Sequence, residues 1–128
     1  MLTMATLTSF EDLECYRSCR RYRIHVAVFC KTLPQAEEFR LKSQLLRAAR
    51  SVTANIAEGF GRHHHQENLQ YCRQARGSLT ETLDHLNVGL DEGLMDQATY
   101  DGLKSEQQAA AQILNGYISY LKKAALRK

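Results

Sequence analysis

Clustered arginines are the residues in this sequence whose type and spacing most clearly suit a chemical task. They concentrate at positions 17–23 and 40–50, and guanidinium groups bind phosphate oxygens in a bidentate manner. Three tyrosines, Tyr16, Tyr22 and Tyr71, have rings that suit stacking on exposed bases. We therefore predict a nucleic-acid-binding site formed by arginines of these two segments. The residues assigned to it are Arg17, Arg21, Arg23, Arg40 and Arg50.

A second interpretation of the same cations stays open, in which several of them serve contacts between subunits. Arg20 lies among apolar residues of one helical face, so we expect it to be the least accessible of them. The net charge of +3 is unevenly distributed, since residues 1–76 carry twelve Lys/Arg and seven Asp/Glu, whereas residues 77–128 carry five and seven. Such asymmetry attracts either an anionic partner or another copy of the chain.

The sequence lacks the residue combinations of a catalytic centre. Ser51 and Ser78 have no histidine at helical spacing that would activate them as nucleophiles. Glu58 and Glu81 lie among arginines, which keep carboxylates ionised and unsuited to acid–base work. We predict no catalytic residues, no cofactor and no enzymatic activity.

Cysteines and a run of histidines are the remaining candidates for metal ligands. Cys15, Cys19, Cys30 and Cys72 fall within helical patterns of a chain without a secretory signal, which indicates reduced packing residues. No second Cys/His pair of suitable spacing accompanies Cys15 and Cys19, so we predict no metal site. We interpret His63–His65 as a solvated turn, with an anion-binding surface or metal capture as the alternatives.

Four long helices are the elements that must position these groups. Turn signals are few, and the hydrophobic periodicity predicts helices at about residues 9–32, 35–60, 65–90 and 97–125. Similar lengths and short connections favour a single domain over residues 1–128, an all-α, antiparallel, up-and-down four-helix bundle. Alternating spacings of three and four residues predict the core face of the fourth helix. Its members are Tyr100, Leu103, Gln107, Ala110, Leu114, Tyr117 and Leu121.

A line of polar residues runs beside the apolar face of the second predicted helix. Burying its charged members without partners would cost free energy. Ser78 and Glu81 lie three residues apart on the third predicted helix, so both side chains can face this line. We interpret the set as a structural polar network that fixes the register of the two helices. Its members are Arg47, Ser51, Asn55, Glu58, Arg62, Ser78 and Glu81.

The first and second predicted helices are each apolar in more than one direction. A helix with two apolar faces is buried on both, and we expect the second face to meet another subunit. The alternative is that loops cover it. The sequence thus predicts a homo-oligomer, and the interface residues assigned are Cys19, Tyr22, Val26, Phe29, Leu46 and Phe60.

Targeting and membrane signals are not found in the sequence. No apolar stretch approaches the roughly 18 residues of a membrane span, and the N-terminal residues lack the pattern of a signal peptide. We predict a cytoplasmic protein without a membrane partner.

The segment from Gln44 to Arg62, QLLRAARSVTANIAEGFGR, resembles the signature of a bacterial four-helix-bundle family encoded in intervening sequences of large-subunit ribosomal RNA genes. Shorter matches to the same family are FEDL at 10–13, Leu33-Pro34, ARGSLTE at 75–81 and LNG at 114–116. The resemblance implies a cytosolic four-helix bundle, commonly assembled as a homopentamer. The accessory proteins of diversity-generating retroelements look like relatives of this family, and this likeness implies a reverse transcriptase and its RNA as partners.

Two functions follow from the residues and the resemblance together. The first is an oligomeric accessory protein that binds structured RNA or an RNA/DNA hybrid, with a reverse transcriptase as a further partner. The alternative is a scaffolding homo-oligomer that binds a protein partner and has no affinity for nucleic acid.

Overall fold

Four α-helices joined by short connections make up the chain, and the computed structural model describes residues 7–127. One-turn 3-10 helices, Phe10–Asp12 and Gln35–Glu37, precede the first two. The α-helices are α1 (Glu14–Cys30), α2 (Leu41–Gly61), α3 (His65–Asp91) and α4 (Gln97–Leu126).

Each helix packs against two neighbours. Contacts join α1 to α2, α2 to α3 and α3 to α4, and α4 returns to α1. The short connections make consecutive helices antiparallel, as in an up-and-down bundle. No strand occurs within the described residues, so the prediction of an all-α protein with four helices is confirmed.

The first two helices begin later than predicted. Ser9 does form a capping box with Asp12, but it caps only the 3-10 turn, because Leu13 is extended and turns its side chain into the core. Ahead of α2, the buried Glu37 accepts a hydrogen bond from the backbone N–H of Leu41, at 3.3 Å, and so caps the helix N-terminus. By contrast, the third and fourth helices begin at the predicted positions, 65 and 97, and end one residue later than predicted, at 91 and 126.

The predicted subunit-interface residues of α1 lie inside the bundle, which corrects that prediction. Cys19, Tyr22, Val26 and Phe29 are all at most 7% exposed and belong to the core. The prediction failed because a helix in contact with two neighbours is buried over a wide arc, so a second apolar face needs no second subunit. The same reason applies to α2, where Leu46 and Phe60 are half-buried against the core of their own chain.

The exposed apolar residues are different ones. Ile24 and Val28, at 45% and 56% exposure, lie on the outer side of α1, and Phe39 before α2 is 91% exposed. Tyr120 and Leu126 are exposed near the other end of the bundle. The outward face of α1 is therefore opposite to the predicted one.

Residues with a left-handed backbone conformation form the turns at two helix ends. Gly93 has φ 72° after α3, where the N–H groups of Leu94 and Gly93 donate to the carbonyls of Gly89 and Leu90 at 2.9 and 3.1 Å. This pattern is a Schellman motif, which favours glycine. His63 has φ 52° in the turn between α2 and α3. The tight turn keeps α2 and α3 close together.

None of the helices within residues 7–127 combines the length and the hydropathy that crossing a membrane requires.

Candidate nucleic-acid interface

Charge is segregated between the two halves of the bundle. On α1 and α2 the cations outnumber the carboxylates, which are Glu14 and Glu58. The cations of these helices are Arg17, Arg20, Arg21, Arg23, Lys42, Arg47 and Arg50. Taken together, α3 and α4 carry six acidic and five basic residues, with Glu67, Glu81, Asp84, Asp91, Asp101 and Glu106 against Arg73, Arg76, Lys104, Lys122 and Lys123. An anionic partner would therefore approach α1 and α2.

Contacts across the α1–α2 seam place three of these cations, Arg23, Lys42 and Arg50, beside it. Arg23 donates from Nη1 to Thr53 Oγ1 at 2.8 Å and joins the middle of α1 to α2. At the C-terminal end of α1, Cys30 lies close enough to Lys42 and Arg50 for their charges to affect its pKa. Burial raises the pKa of the Cys30 thiol to about 11, and the two cations oppose that rise.

The predicted nucleic-acid residues differ in how tightly the protein itself holds them. Arg17 donates to the carbonyl of Glu11 at 3.0 Å and lies 3.7 Å from an Asp12 carboxylate oxygen. Arg23 is held by Thr53. Arg40 lies outside α2 and is 3.9 Å from Glu37. The remaining two predicted residues, Arg21 and Arg50, are exposed, and their side chains make no hydrogen bond or ion pair with any described residue.

On and beside α1 and α2, three further cations have the same free character as Arg21 and Arg50. Arg20, Lys31 and Arg47 are exposed, and their side chains likewise bond to none of residues 7–127. The expectation for Arg20 was wrong, because the apolar neighbours on its face, such as Ile24, themselves point outward. We call the set of exposed, unpaired cations on this side of the bundle the cationic face. It consists of Arg20, Arg21, Lys31, Arg47 and Arg50.

A surface cavity of about 420 Å³ lies at the α2 end of the cationic face. The aromatic ring at its edge is the exposed Phe39, and Leu46 forms part of its apolar wall. Its other lining residues are Glu38, Lys42, Ser43, Arg47 and Arg50. Phe39 was not among the predicted site residues because position 39 was predicted to lie inside a continuous helix. Pro34 and the polar run after it were the available signal for an irregular segment.

The tyrosines predicted to stack on bases are engaged within the protein. The Tyr22 hydroxyl donates to Thr82 Oγ1 in the core at 2.8 Å, and burial raises the pKa of this phenol. Tyr16 packs edge-on against Phe10. The Tyr71 hydroxyl accepts a hydrogen bond from Arg62 at 2.7 Å. Among the residues that the structure describes, the aromatic ring left free to stack on a base is therefore that of Phe39, and not that of Tyr16, Tyr22 or Tyr71.

The predicted polar network divides into separate groups. Ser51 and Ser78 share a hydrogen bond of 2.9 Å between α2 and α3, and Asn55 donates to the Ser51 hydroxyl and carbonyl. This central group fits the predicted role of linking the helices. It does not include Arg47, which points to solvent instead of α3.

The other members of that network form local pairs. Arg62 lies 3.0 Å from Glu58 and 3.9 Å from Glu67, and it also bonds to Tyr71. Glu81 pairs with His85 on its own helix at 2.9 Å. The partner of Glu58 is thus Arg62, the C-cap residue of its own helix, and not a residue of α3 as predicted, because a spacing of four residues brings the two side chains together.

Metal-ligand residue types do not cluster in the part of the chain that the structure describes. All four cysteines are free and buried, and burial raises the pKa of Cys19 and Cys72 to about 12. Thiols of this kind are poor nucleophiles at neutral pH. No group of three or more His, Cys, Asp or Glu within residues 7–127 has an arrangement that could hold a metal ion.

The three adjacent histidines point to different surroundings. His63 contacts the ring of Phe60, His64 is the N-cap residue of α3 and lies 3.7 Å from Glu67, and His65 meets Tyr120 edge-on. All three are exposed, as the turn interpretation expects.

Comparison with known proteins gives one family and one fold. The family model described as 23S rRNA-intervening sequence protein matches residues 11–116. A crystal structure of a protein of unknown function from Bacteroides thetaiotaomicron, described as from the S23 ribosomal protein family, matches with a TM-score of 0.76. That match has 17% sequence identity and covers 82% of this chain and 95% of the other. At this identity it shows a shared fold. No curated protein matches the chain significantly.

Proposed function

Because the chain belongs to the 23S rRNA-intervening sequence protein family, we propose that it is a non-enzymatic RNA-binding accessory protein that holds RNA phosphates on its cationic face. The observation that carries the proposal is the set of exposed cations on α1 and α2 without carboxylate partners. Phosphate oxygens would supply the partners that the protein does not.

The extent of the cationic face favours a polyanion over a small anion. Arg20 and Lys31 are eleven residues apart, which corresponds to about 16 Å along a helix. A single phosphate group cannot contact both ends of such a surface, whereas several consecutive phosphates of a nucleic-acid strand can. Arginine also suits this role because its guanidinium binds phosphate through two hydrogen bonds.

Substitution of three of these cations provides the test. We expect the triple variant Arg20→Gln, Arg47→Gln, Arg50→Gln to bind a fluorescent RNA hairpin at least about tenfold more weakly than wild type. The slope of log K against log salt concentration should become less steep by about 2 to 3, since each lost phosphate contact removes about 0.7 to 0.9 from this slope. Fluorescence anisotropy at several salt concentrations measures both quantities.

The matched control removes the same charge from the other half of the bundle. Arg73→Gln, Lys122→Gln, Lys123→Gln also replaces three exposed cations, so it separates a local site from the effect of net charge. We expect its RNA affinity to stay within about threefold of wild type. Equal losses in both triple variants, or no RNA binding by wild type at low salt, would contradict the proposal.

A second candidate function is a scaffolding homo-oligomer that binds a protein partner. The exposed pair Ile24 and Val28 favours it, since apolar side chains on the outer side of a helix gain from burial against another surface. The resemblance implies a pentamer, and a reverse transcriptase as protein partner stays a prediction of that resemblance.

Light scattering tests self-association directly. We expect wild type to elute at a multiple of its 14.6 kDa chain mass, and Ile24→Ser, Val28→Ser to shift to smaller species. Leu126→Ser, at an exposed apolar residue near the end of α4, is the control and should leave the mass unchanged. A monomeric wild type at micromolar concentration would exclude the scaffold.

A further inference from the structure

Phe39 is an unusually exposed aromatic side chain held on an ordered backbone. The residue is 91% exposed, although burial of its ring would be favourable by roughly 2 kcal/mol. The N–H of Glu38 donates to the carbonyl of Gln35 at 3.0 Å, and that of Arg40 to Glu37 at 3.1 Å. With Glu37 also capping α2, these bonds fix the chain on both sides of Phe39. The ring is therefore presented to solvent by a defined segment.

The surroundings of Phe39 are strongly positive. Lys42, Arg47 and Arg50 line the adjoining cavity, and its one carboxylate, Glu38, is neutralised by Lys42 at 3.1 Å. Covering Arg47 and Arg50 without counter-charges would be costly, so a partner at this site must bring negative charge as well as a surface for the ring. The site fits a ligand that has both an apolar face and negative charge.

We propose that Phe39 is a stacking platform for an unpaired RNA base, with the flanking phosphates bound by Arg47 and Arg50. A nucleotide combines a flat apolar base with a charged phosphate, and the cavity volume of about 420 Å³ leaves room for one base. Bases within a duplex are already stacked on each other, so Phe39 selects RNA that contains single-stranded nucleotides. This inference rests on the proposed RNA-binding function and adds the class of RNA to it.

Loss of the ring should weaken binding to single-stranded RNA and spare binding to a duplex. We expect Phe39→Ala to lower the affinity for a single-stranded oligonucleotide about five- to hundredfold, and that for a blunt-ended duplex less than about twofold. Phe39→Tyr keeps a stacking ring and should bind like wild type. The control is Leu126→Ala, which removes an exposed apolar side chain far from the cavity.

A tryptophan at the same position reports stacking directly. The chain contains no tryptophan, so Phe39→Trp would place its only indole beside the cavity. We expect single-stranded RNA to quench this fluorescence with the same Kd that anisotropy gives, and the duplex to leave it nearly unchanged. Tyr120→Trp, on α4, is the control fluorophore and should not be quenched.

The outcomes separate this inference from the proposed function. Equal losses for both RNAs in Phe39→Ala, or no change for either, would overturn the stacking role while the RNA-binding function stands. A wild type that binds no RNA would overturn both. A smaller assembly mass for Phe39→Ala in light scattering, without loss of RNA affinity, would show that the ring docks into a second copy and would likewise overturn the proposal.

Discussion

Replacement of Gly59 by alanine is expected to destabilise the protein by about 1 to 3 kcal/mol, although alanine is the better helix former. A Cβ at this position would lie 2.7 Å from Asn68 Oδ1, 2.8 Å from Tyr71 Cβ and 3.1 Å from the Asn68 carbonyl oxygen. Tyr71 Cβ and the carbonyl belong to or adjoin the α3 backbone, so they cannot rotate away. The substitution must therefore push α3 from α2, where the tight turn holds the two helices together.

Gly77→Ala is the matched control, with the opposite expected sign. Gly77 lies inside α3, and an added Cβ there meets nothing within 4 Å. Alanine at an open helical site should stabilise the protein by about 0.5 to 1 kcal/mol. Urea unfolding followed by circular dichroism at 222 nm measures both changes. A Gly59→Ala variant that unfolds at the same or higher urea concentration than wild type would show that the close approach is not needed.

Periodicity predicted the core of α4 well, because one apolar stripe leaves one choice of inward face. Tyr100, Leu103, Gln107, Ala110, Leu114 and Leu121 are buried as expected. The remaining member of the predicted seam, Tyr117, is half-buried, and Ile118 takes the inner position. A Tyr side chain can lie at the border of the core because its hydroxyl accepts a hydrogen bond from Asn68 at 3.0 Å.

The orientation of α1 could not be predicted from its own sequence. Both of its sides carry apolar residues, and Ile24 is at least as hydrophobic as Tyr22. Tyr22 can be buried because its hydroxyl donates to Thr82, a partner sixty residues away that no local pattern indicates. Propensity and spacing identify the apolar faces of a helix, but the neighbouring helices of the bundle determine which of those faces is buried.

The candidate site was only partly predictable for a related reason. The segments that carry its cations were evident from composition, and two of the five predicted arginines, Arg21 and Arg50, belong to the cationic face. Which arginines are tied down depends on single contacts, such as that of Arg23 with Thr53. The position of Phe39 depends on where a helix begins, and α2 begins only at Leu41, whose N–H donates to Glu37.

Loss of the Thr82 hydroxyl is expected to cost about 1 to 3 kcal/mol, because it would leave a buried phenol without a hydrogen-bond acceptor. Thr82 Oγ1 accepts from the Tyr22 hydroxyl at 2.8 Å and donates to the Leu79 carbonyl at 2.6 Å. The same carbonyl accepts from Gln107 Nε2 at 3.0 Å. These bonds link α1, α3 and α4 in the core. Thr82→Val keeps the side-chain shape and removes only the hydroxyl.

A double-mutant cycle with Tyr22→Phe isolates this buried bond. Tyr22→Phe alone should cost about 1 kcal/mol, since Thr82 keeps its bond to Leu79. In Thr82→Val combined with Tyr22→Phe, the phenol that lacked an acceptor is gone, so the double variant should be less destabilised than the sum of the single variants. Thr80→Val, at an exposed threonine of the same helix, should stay within about 0.5 kcal/mol of wild type. Additive losses measured by urea unfolding would mean that the bond between Tyr22 and Thr82 does not hold α1 against α3.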